Sequence, residues 1–367
     1  MTTRLAVLGA TGSIGRQALE IARLHPDRLQ VVALAADRRQ TELAALATEF
    51  GARALVGTAG LRESATAGDV DLVLVATPGF AGVEATLAAL GAGKDVALAN
   101  KEVLVVAGHL VRALAGGAGK RLRPVDSEHH ALWQCLEGVE PRHVRRVALT
   151  ASGGAFRDRE PVELASVSAE EALQHPTWTM GPKVTIDSAT LVNKGYEVVE
   201  TRWLYDLPYD RIDVVLHHES VVHALVELAD GSVKAQLAEP DMRLPIQYAL
   251  LWDRAECPAP RFDWEQVRSL RLGPVDPARY PCFAIVLETA RSGDLAAMVG
   301  LSAADEVAVD AFLRNEIAFT AIPGMLRHGA ELGAQEGHGQ APELAEIVAI
   351  DRAVRESLTL PAAAASR

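Results

Sequence analysis

The first third of the chain alternates short aliphatic runs with amphipathic stretches. Leu5 to Leu8, Gln30 to Leu34, Asp71 to Thr77 and Asp95 to Asn100 read as strands separated by helices. That rhythm predicts an amino-terminal, Rossmann-like parallel sheet wound on both faces, hence an α/β fold. From about Arg145 the rhythm changes. Arg145 to Ser152, Asp213 to His218, Val221 to Leu228 and Ser232 to Leu237 read as strands of a mixed sheet, with Asp230-Gly231 marking a hairpin between the last two. A proline-rich stretch, with Pro258, Pro260, Pro274 and Pro277, reads as a connector. Beyond it, Phe283 to Ala290, Ala303 to Arg314 and Glu343 to Ser357 carry helical periodicity, and 361–367 reads as a frayed tail. The expected domains are 1–125, which carries the parallel sheet; 126–250, a central α/β domain; 251–280, a connector; and 281–367, a helical carboxyl-terminal domain.

A chain of 367 residues suits two or three cores under a rough prior of ~150 residues each. Hydrophobic residues make up 49% but aromatics only 5%, so the cores should be aliphatic and helix-rich. The net charge of −12 argues against nucleic acid and against an anionic membrane as partners, so an anionic substrate needs a local basic pocket. No apolar run approaches the ~18 residues that span a bilayer. A strand-like run already begins at Leu5, which leaves no room for a leader in the chain as given, and the expected location is the cytoplasm. Cys135, Cys257 and Cys282 are far apart and lack a CxxC spacing, consistent with a reducing compartment.

Gly9-Ala-Thr-Gly-Ser-Ile-Gly15 follows the first strand and opens a helix whose apolar stripe includes Ile14, Ala18, Ile21 and Ala22. Glycines at 9, 12 and 15, with Thr11, Ser13 and Ile14 between them, let backbone amides approach a pyrophosphate at the positive end of that helix. The spacing is GxxGxxG rather than the more diagnostic GxGxxG, and a ligand-free tight turn gives the same string. After the second strand comes Asp37-Arg38-Arg39. The arginines suit a 2′-phosphate and NADPH, Asp37 suits a ribose hydroxyl and NADH, and a solvated charge cluster is the plain alternative.

Asp126 and Glu128 lie two apart in what reads as an extended run, hence on one face of a strand, where paired carboxylates can chelate a cation or simply line a solvated edge. In the segment 187–200, Val192, Tyr196, Val199 and Trp203 form an apolar helical stripe, while Asn193, Glu197 and Glu200 share a polar one. Asp187 or Ser188 reads as the amino-terminal cap of that helix, and Gly195 inside it costs ~1 kcal/mol against alanine, so something is expected to pack closely there. Oxygen-only ligation suits Mg²⁺ or Mn²⁺ better than Zn²⁺. His218 and His223 are five apart on a strand-like run, not the four of a zinc-protease helix, and read as structural.

Together GATGSIG at 9–15, ANKE at 99–102, PVDSEH at 124–129, ASGGAFR at 151–157, HPTWTMGPK at 175–183, DSATLVNKGYEVVE at 187–200 and DGSVKAQLAEPDMR at 230–243 resemble the 1-deoxy-D-xylulose 5-phosphate reductoisomerase family over nearly the whole chain. The resemblance implies metal-dependent rearrangement and NADPH reduction of that phosphorylated keto-sugar to 2-C-methyl-D-erythritol 4-phosphate, in a homodimer. It implies metal ligands Asp126, Glu128 and Glu197, holding Mg²⁺, Mn²⁺ or Co²⁺. It carries substrate contacts onto Ser127, Ser152, His175, Trp178, Met180, Ser188, Asn193 and Lys194, and implies a lid at 174–185 in the central domain. It implies catalytic roles for Glu128, Lys101, Lys194 and His175, with Glu128 or a metal-bound water as the proton carrier, and cofactor contacts at Asn100, Lys101 and Glu102 beside Gly9 to Gly15, Arg38 and Arg39. The segments 76–84 and 302–306 depart from the family pattern. Two other classes compete: a cysteine-dependent semialdehyde dehydrogenase, which requires a nucleophilic thiol, and a noncatalytic NADPH sensor, which has no use for the acidic cluster.

Overall fold

The computed structural model describes residues 2–116, 121–266, 269–337 and 341–358. The frayed tail expected at 361–367 lies outside them. The chain divides into two compact units: residues 1–104, 108–151 and 200–274 form the first, and 105–107, 152–199 and 275–367 the second.

The first unit holds both sheets. Strands β1 (Thr3–Leu8), β2 (Leu29–Ala36), β3 (Arg53–Val56), β4 (Leu72–Val75), β5 (Asp95–Leu98) and β6 (Leu122–Pro124) form a parallel sheet in the order β3-β2-β1-β4-β5-β6. The central strands β1 and β4 are buried on both faces, which is why they read as unbroken apolar runs instead of alternating ones. Helices α1 (Ser13–Leu24), α2 (Gln40–Phe50), α3 (Gly57–Thr66), α4 (Val83–Gly91), α5 (Glu102–Leu114) and α6 (Ser127–Leu136) follow the strands in turn. Leu5, Val7, Leu19, Ile21 and Leu34 anchor the core on one face of this sheet. Full burial of each such side chain stabilises by about 1.5–3 kcal/mol.

The second sheet comprises β7 (Val144–Ala151), β8 (Ile212–Leu216), β9 (Val222–Leu228), β10 (Val233–Leu237) and β11 (Gly273–Pro274), in the order β10-β9-β7-β8-β11. Only β7 and β8 run parallel, so the sheet is mixed as expected, and the Asp230-Gly231 hairpin joins antiparallel β9 and β10. Of the two histidines read as structural, His223 is buried with a ring nitrogen within reach of the Ala238 carbonyl oxygen, and His218 is half-buried; the neighbouring His217 is fully buried against the Arg271 carbonyl oxygen.

The second unit is helical. It contains α7 (Ala169–Ala172), α8 (Pro182–Thr190), most of α9 (Val192–Tyr205), α11 (Pro281–Ser292), α12 (Leu295–Leu313), α13 (Ile322–Glu336) and α14 (Leu344–Leu358), whereas α10 (Arg243–Leu251) belongs to the first unit. The close packing expected at Gly195 is with Val286 of α11: a Cβ on Gly195 would stand 2.8 Å from two Val286 carbons.

Two local expectations require correction. Asp126 and Glu128 do not share a strand face. The strand ends at Pro124, Asp126 caps α6 by accepting the Ser127 amide at 2.9 Å, and Glu128 lies in the first helical turn. Carboxylates belong there, because a helix amino terminus leaves amides unpaired and carries partial positive charge. Nor do Asp187 and Ser188 cap a helix. They lie inside α8, which starts at Pro182 and stops where Leu191 turns left-handed. Proline at the first helical position was the legible signal.

Candidate active site

In the first unit, the glycine-rich turn emerges from β1 and passes into α1. Gly9 has φ +86°, and a Cβ there would meet the Ala76 carbonyl oxygen at 2.5 Å; one on Gly15 would meet the Gly9 oxygen at 2.3 Å. Only glycine fits such a turn. Gly12 stands at the helix end, and no side chain caps it, so Ser13 and Ile14 open the helix with amides suited to an anion. Thr11 is buried beside them. Arg38 and Arg39 are exposed just beyond the end of β2, next to Asp37. The turn has the shape required by a pyrophosphate, and the residues present fit a phosphorylated dinucleotide.

Asn100 is buried and braces two loops: its amide donates to the Thr77 and Gly79 carbonyls at 2.5 and 2.7 Å and accepts the Val103 amide at 2.9 Å. It holds the 76–80 loop against the start of α5. Glu102 is buried in the first turn of that helix. Lys101 points its ammonium at Asp126, 2.8 Å from Oδ2.

Around Asp126 the geometry is dense. His129, one helical turn on, brings Nδ1 to 3.3 Å from Asp126 Oδ2, while its Nε2 lies 3.1 Å from the Thr201 hydroxyl and its carbonyl accepts the Tyr205 hydroxyl. Glu200 stands 3.8 Å from the same ring, and ligand atoms of Asp126, His129 and Glu200 lie within 4.8 Å of one another. Ser127 donates to Glu128 at 2.6 Å. Burial opposes ionisation of Asp126, yet the Lys101 ammonium and the His129 hydrogen bond hold it well below the usual carboxylate range. Burial, reinforced by Asp126, pushes Glu200 up to about 7. One carboxylate is therefore kept charged beside another whose ionisation burial opposes. His129 and Thr201 were not singled out in the sequence, although the i, i+3 spacing from Asp126 to His129 was visible there.

The second unit gathers a separate set. Ser152 leaves β7 and meets His175, with Oγ 3.0 Å from Nε2. His175 Nδ1 accepts the amides of Thr177 and Trp178 at 3.2 and 2.9 Å, which assigns the ring proton to Nε2 as donor to Ser152. Burial, with Arg157 nearby, lowers His175 to about 4, so the ring is neutral near pH 7. Gly154 presses on α8 so closely that a Cβ would sit 2.4 Å from the Ser188 carbonyl oxygen, which places the Ser152 turn beside half-buried Ser188. Trp178 and Met180 are half-buried in the irregular stretch before α8. On α9, Asn193 donates to Glu197 at 2.5 Å and Lys194 pairs with its other oxygen; Lys194 and Glu197 are both buried, so this polar stripe faces inward.

The thiols do not suit nucleophilic catalysis. Burial pushes Cys135, Cys257 and Cys282 upward, away from the thiolate. That counts against the semialdehyde dehydrogenase class.

Comparison with known proteins agrees. Models described as 1-deoxy-D-xylulose 5-phosphate reductoisomerase match residues 5–56 and 48–108, and those of its carboxyl-terminal domains match 122–205 and 237–357. The 1-deoxy-D-xylulose 5-phosphate reductoisomerase of Thermomicrobium roseum is 46% identical, covering 97% of this chain and 96% of its own length. That of Geobacillus kaustophilus is 44% identical, covering 96% and 99%. A crystal structure of DOX-P reductoisomerase in complex with NADPH, fosmidomycin and magnesium superposes with a TM-score of 0.91 at 38% identity over 97% of each chain. The Zymomonas mobilis enzyme in complex with NADPH gives 0.86 at 37% identity, covering 97% of this chain and 98% of that one.

Proposed function

The chain belongs to the 1-deoxy-D-xylulose 5-phosphate reductoisomerase family, and from that premise we propose how its own residues divide the work. It is an NADPH-dependent reductoisomerase that converts 1-deoxy-D-xylulose 5-phosphate to 2-C-methyl-D-erythritol 4-phosphate with the help of a divalent metal. Gly9 to Gly15 would hold the nucleotide, with the Gly12, Ser13 and Ile14 amides available to its pyrophosphate and Arg38 and Arg39 to its 2′-phosphate. Lys101 and Glu102 border the nicotinamide side, and Asn100 acts by holding the loops that flank it.

Asp126, Glu128 and Glu197 hold the cation. The observation that carries this reading is a buried Asp126 kept ionised by Lys101 within a cluster that includes Glu200, one helical turn beyond Glu197 on α9. Carboxylate oxygens alone fit Mg²⁺ or Mn²⁺, with Co²⁺ as a substitute. When bound, the cation supplies Lewis-acid polarisation of the substrate carbonyl and adjacent hydroxyl, and NADPH supplies hydride. Ser152, Ser188, Asn193 and Lys194 bind the phosphate and polyol, and His175 orients Ser152 as a neutral donor. Trp178 and Met180 cover the substrate and exclude water. Lys101 and Lys194 offset developing charge, and Glu128 holds the proton transferred at the substrate hydroxyl.

As parts in the reaction rather than as compact units, 1–125 serves the nucleotide, 126–250 carries the metal and substrate residues with a lid at 174–185, 251–280 serves as a connector and 281–367 as support. Homodimerisation is supported by β10, an edge strand that exposes Val233 and Leu237. A cytoplasmic location is supported by the bacterial relatives, and among the described residues no helix is long and apolar enough to cross a membrane.

The experiment is NADPH oxidation with 1-deoxy-D-xylulose 5-phosphate, run with and without chelator and followed by product identification. Cofactor consumption that needs both the keto-sugar and the metal, and that yields the branched polyol phosphate, is the expected result. NADPH oxidation without rearranged product would reject the reading.

A further inference from the structure

Lys183 is the second residue of α8, directly after exposed Pro182 at the start of that helix, yet its ammonium is turned inward. Its Nζ lies 2.6 Å from Asp187 Oδ2 on the same helix and 2.8 Å from Asp305 Oδ2 on α12, and stands 5.2 Å from the centre of the Tyr196 ring on α9. Asp305 and Tyr196 are fully buried and Asp187 is 3% exposed. One side chain thus joins three helices at the point where the 175–181 segment enters the fold.

We propose that Lys183 is a positioning residue: it fixes the carboxyl end of the 175–181 segment and holds α8 and α9 in register for substrate phosphate. The sequence of contacts supports this. Asp187 immediately precedes Ser188, and Tyr196 sits between Lys194 and Glu197 on α9. The amino end of the segment is held separately, by the Ser152 contact of His175. Segment 176–182, which carries Trp178 and Met180, therefore runs between two fixed posts. Removing the ammonium would leave two buried carboxylates facing each other, and such a pair relieves repulsion by taking up a proton or by moving apart. Moving apart shifts the helices that carry Ser188, Asn193 and Lys194, and taking up a proton leaves α8 and α12 without the ammonium that ties Asp187 to Asp305.

This inference rests on the reading of these residues as the substrate cradle. It is tested with Lys183→Met, which keeps the stem and loses the charge, Lys183→Arg, which restores the charge, and Asp305→Asn. Lys183→Met is expected to raise the KM for 1-deoxy-D-xylulose 5-phosphate ~10-fold or more, with kcat within about threefold and the NADPH dissociation constant unchanged, and Lys183→Arg is expected to recover most of the loss. A Lys183→Met enzyme with wild-type KM would overturn the proposal, as would a KM rise matched by an equal loss of NADPH affinity. Should Lys183→Met fail to fold, a raised KM in a well-folded Asp305→Asn enzyme supports the proposal and an unchanged KM rejects it. Should the wild type not turn over this keto-sugar, the functional reading fails on its own. Amide exchange over 175–181 then decides whether Lys183 fixes this segment: faster exchange in Asp305→Asn supports it and equal exchange rejects it.

Discussion

Gly195→Ala adds one methyl to α9 where Val286 leaves no room, and its effects on stability and on activity should separate. The new Cβ would stand 2.8 Å from two Val286 carbons and 3.3 Å from a third, against an ordinary contact of 3.4–4 Å. Overpacking of this kind costs about 1–3 kcal/mol. Alanine returns ~1 kcal/mol of helix propensity, so the net destabilisation is about 1 kcal/mol, a shift of only a few degrees in a chain of this size. Activity is more sensitive, because relief requires α9 to move by several tenths of an ångström, and α9 carries Asn193, Lys194 and Glu197. A misplacement near 1 Å can cost on the order of 100-fold in rate. The expected result is a folded enzyme with kcat/KM reduced ~10- to 100-fold, and substantial recovery in Gly195→Ala/Val286→Ala, where the methyl has space. Steady-state kinetics and thermal melting of the two variants provide the assay. Full activity in the single variant, or no recovery in the double, would refute the link between this helix contact and the cradle.

Replacing Arg38 and Arg39 by glutamine should raise the NADPH KM ~10- to 100-fold and leave NADH use nearly unchanged; an unaltered NADPH/NADH preference would remove both residues from the 2′-phosphate site. His130 gives a pH prediction. Burial lowers it from 6.5 to about 3, so it favours the folded state fully above pH 6.5, and that contribution is lost as pH falls from 6.5 towards 3. Between pH 7 and 5 the wild type should therefore lose about 2 kcal/mol more stability than His130→Gln, read from urea midpoints at the two pH values. Equal losses would mean that His130 does not titrate as its burial requires.

The parallel sheet was legible because its buried central strands are continuous aliphatic runs, and the second sheet because Asp230-Gly231 announces a hairpin. The strands absent from the sequence reading have physical reasons for being faint: β3 is a mostly exposed edge strand of four residues, and β11 has two residues, one of them proline. α13 was also missed, its apolar positions being interrupted by Gly324, Gly329 and Gly333. Identities of the acidic residues could be read from the sequence, but their setting could not. Asp126 looked like a strand residue because alternation over three positions does not distinguish a strand end from a cap. Asp187 looked like a cap because the break between α8 and α9 rests on one left-handed residue, Leu191, whose side chain gives no hint of that conformation. His129, Thr201 and Lys183 gain their roles through partners that are mostly distant in sequence, and no local pattern reports such contacts.

Binding of Mn²⁺ to the wild type and to Glu197→Gln, followed by electron paramagnetic resonance titration in the presence of NADPH, tests the metal centre most directly. One tight site per chain in the wild type, weakened ~100-fold or more in the variant while NADPH binding is preserved, is the predicted result. Undiminished Mn²⁺ affinity in Glu197→Gln would contradict it.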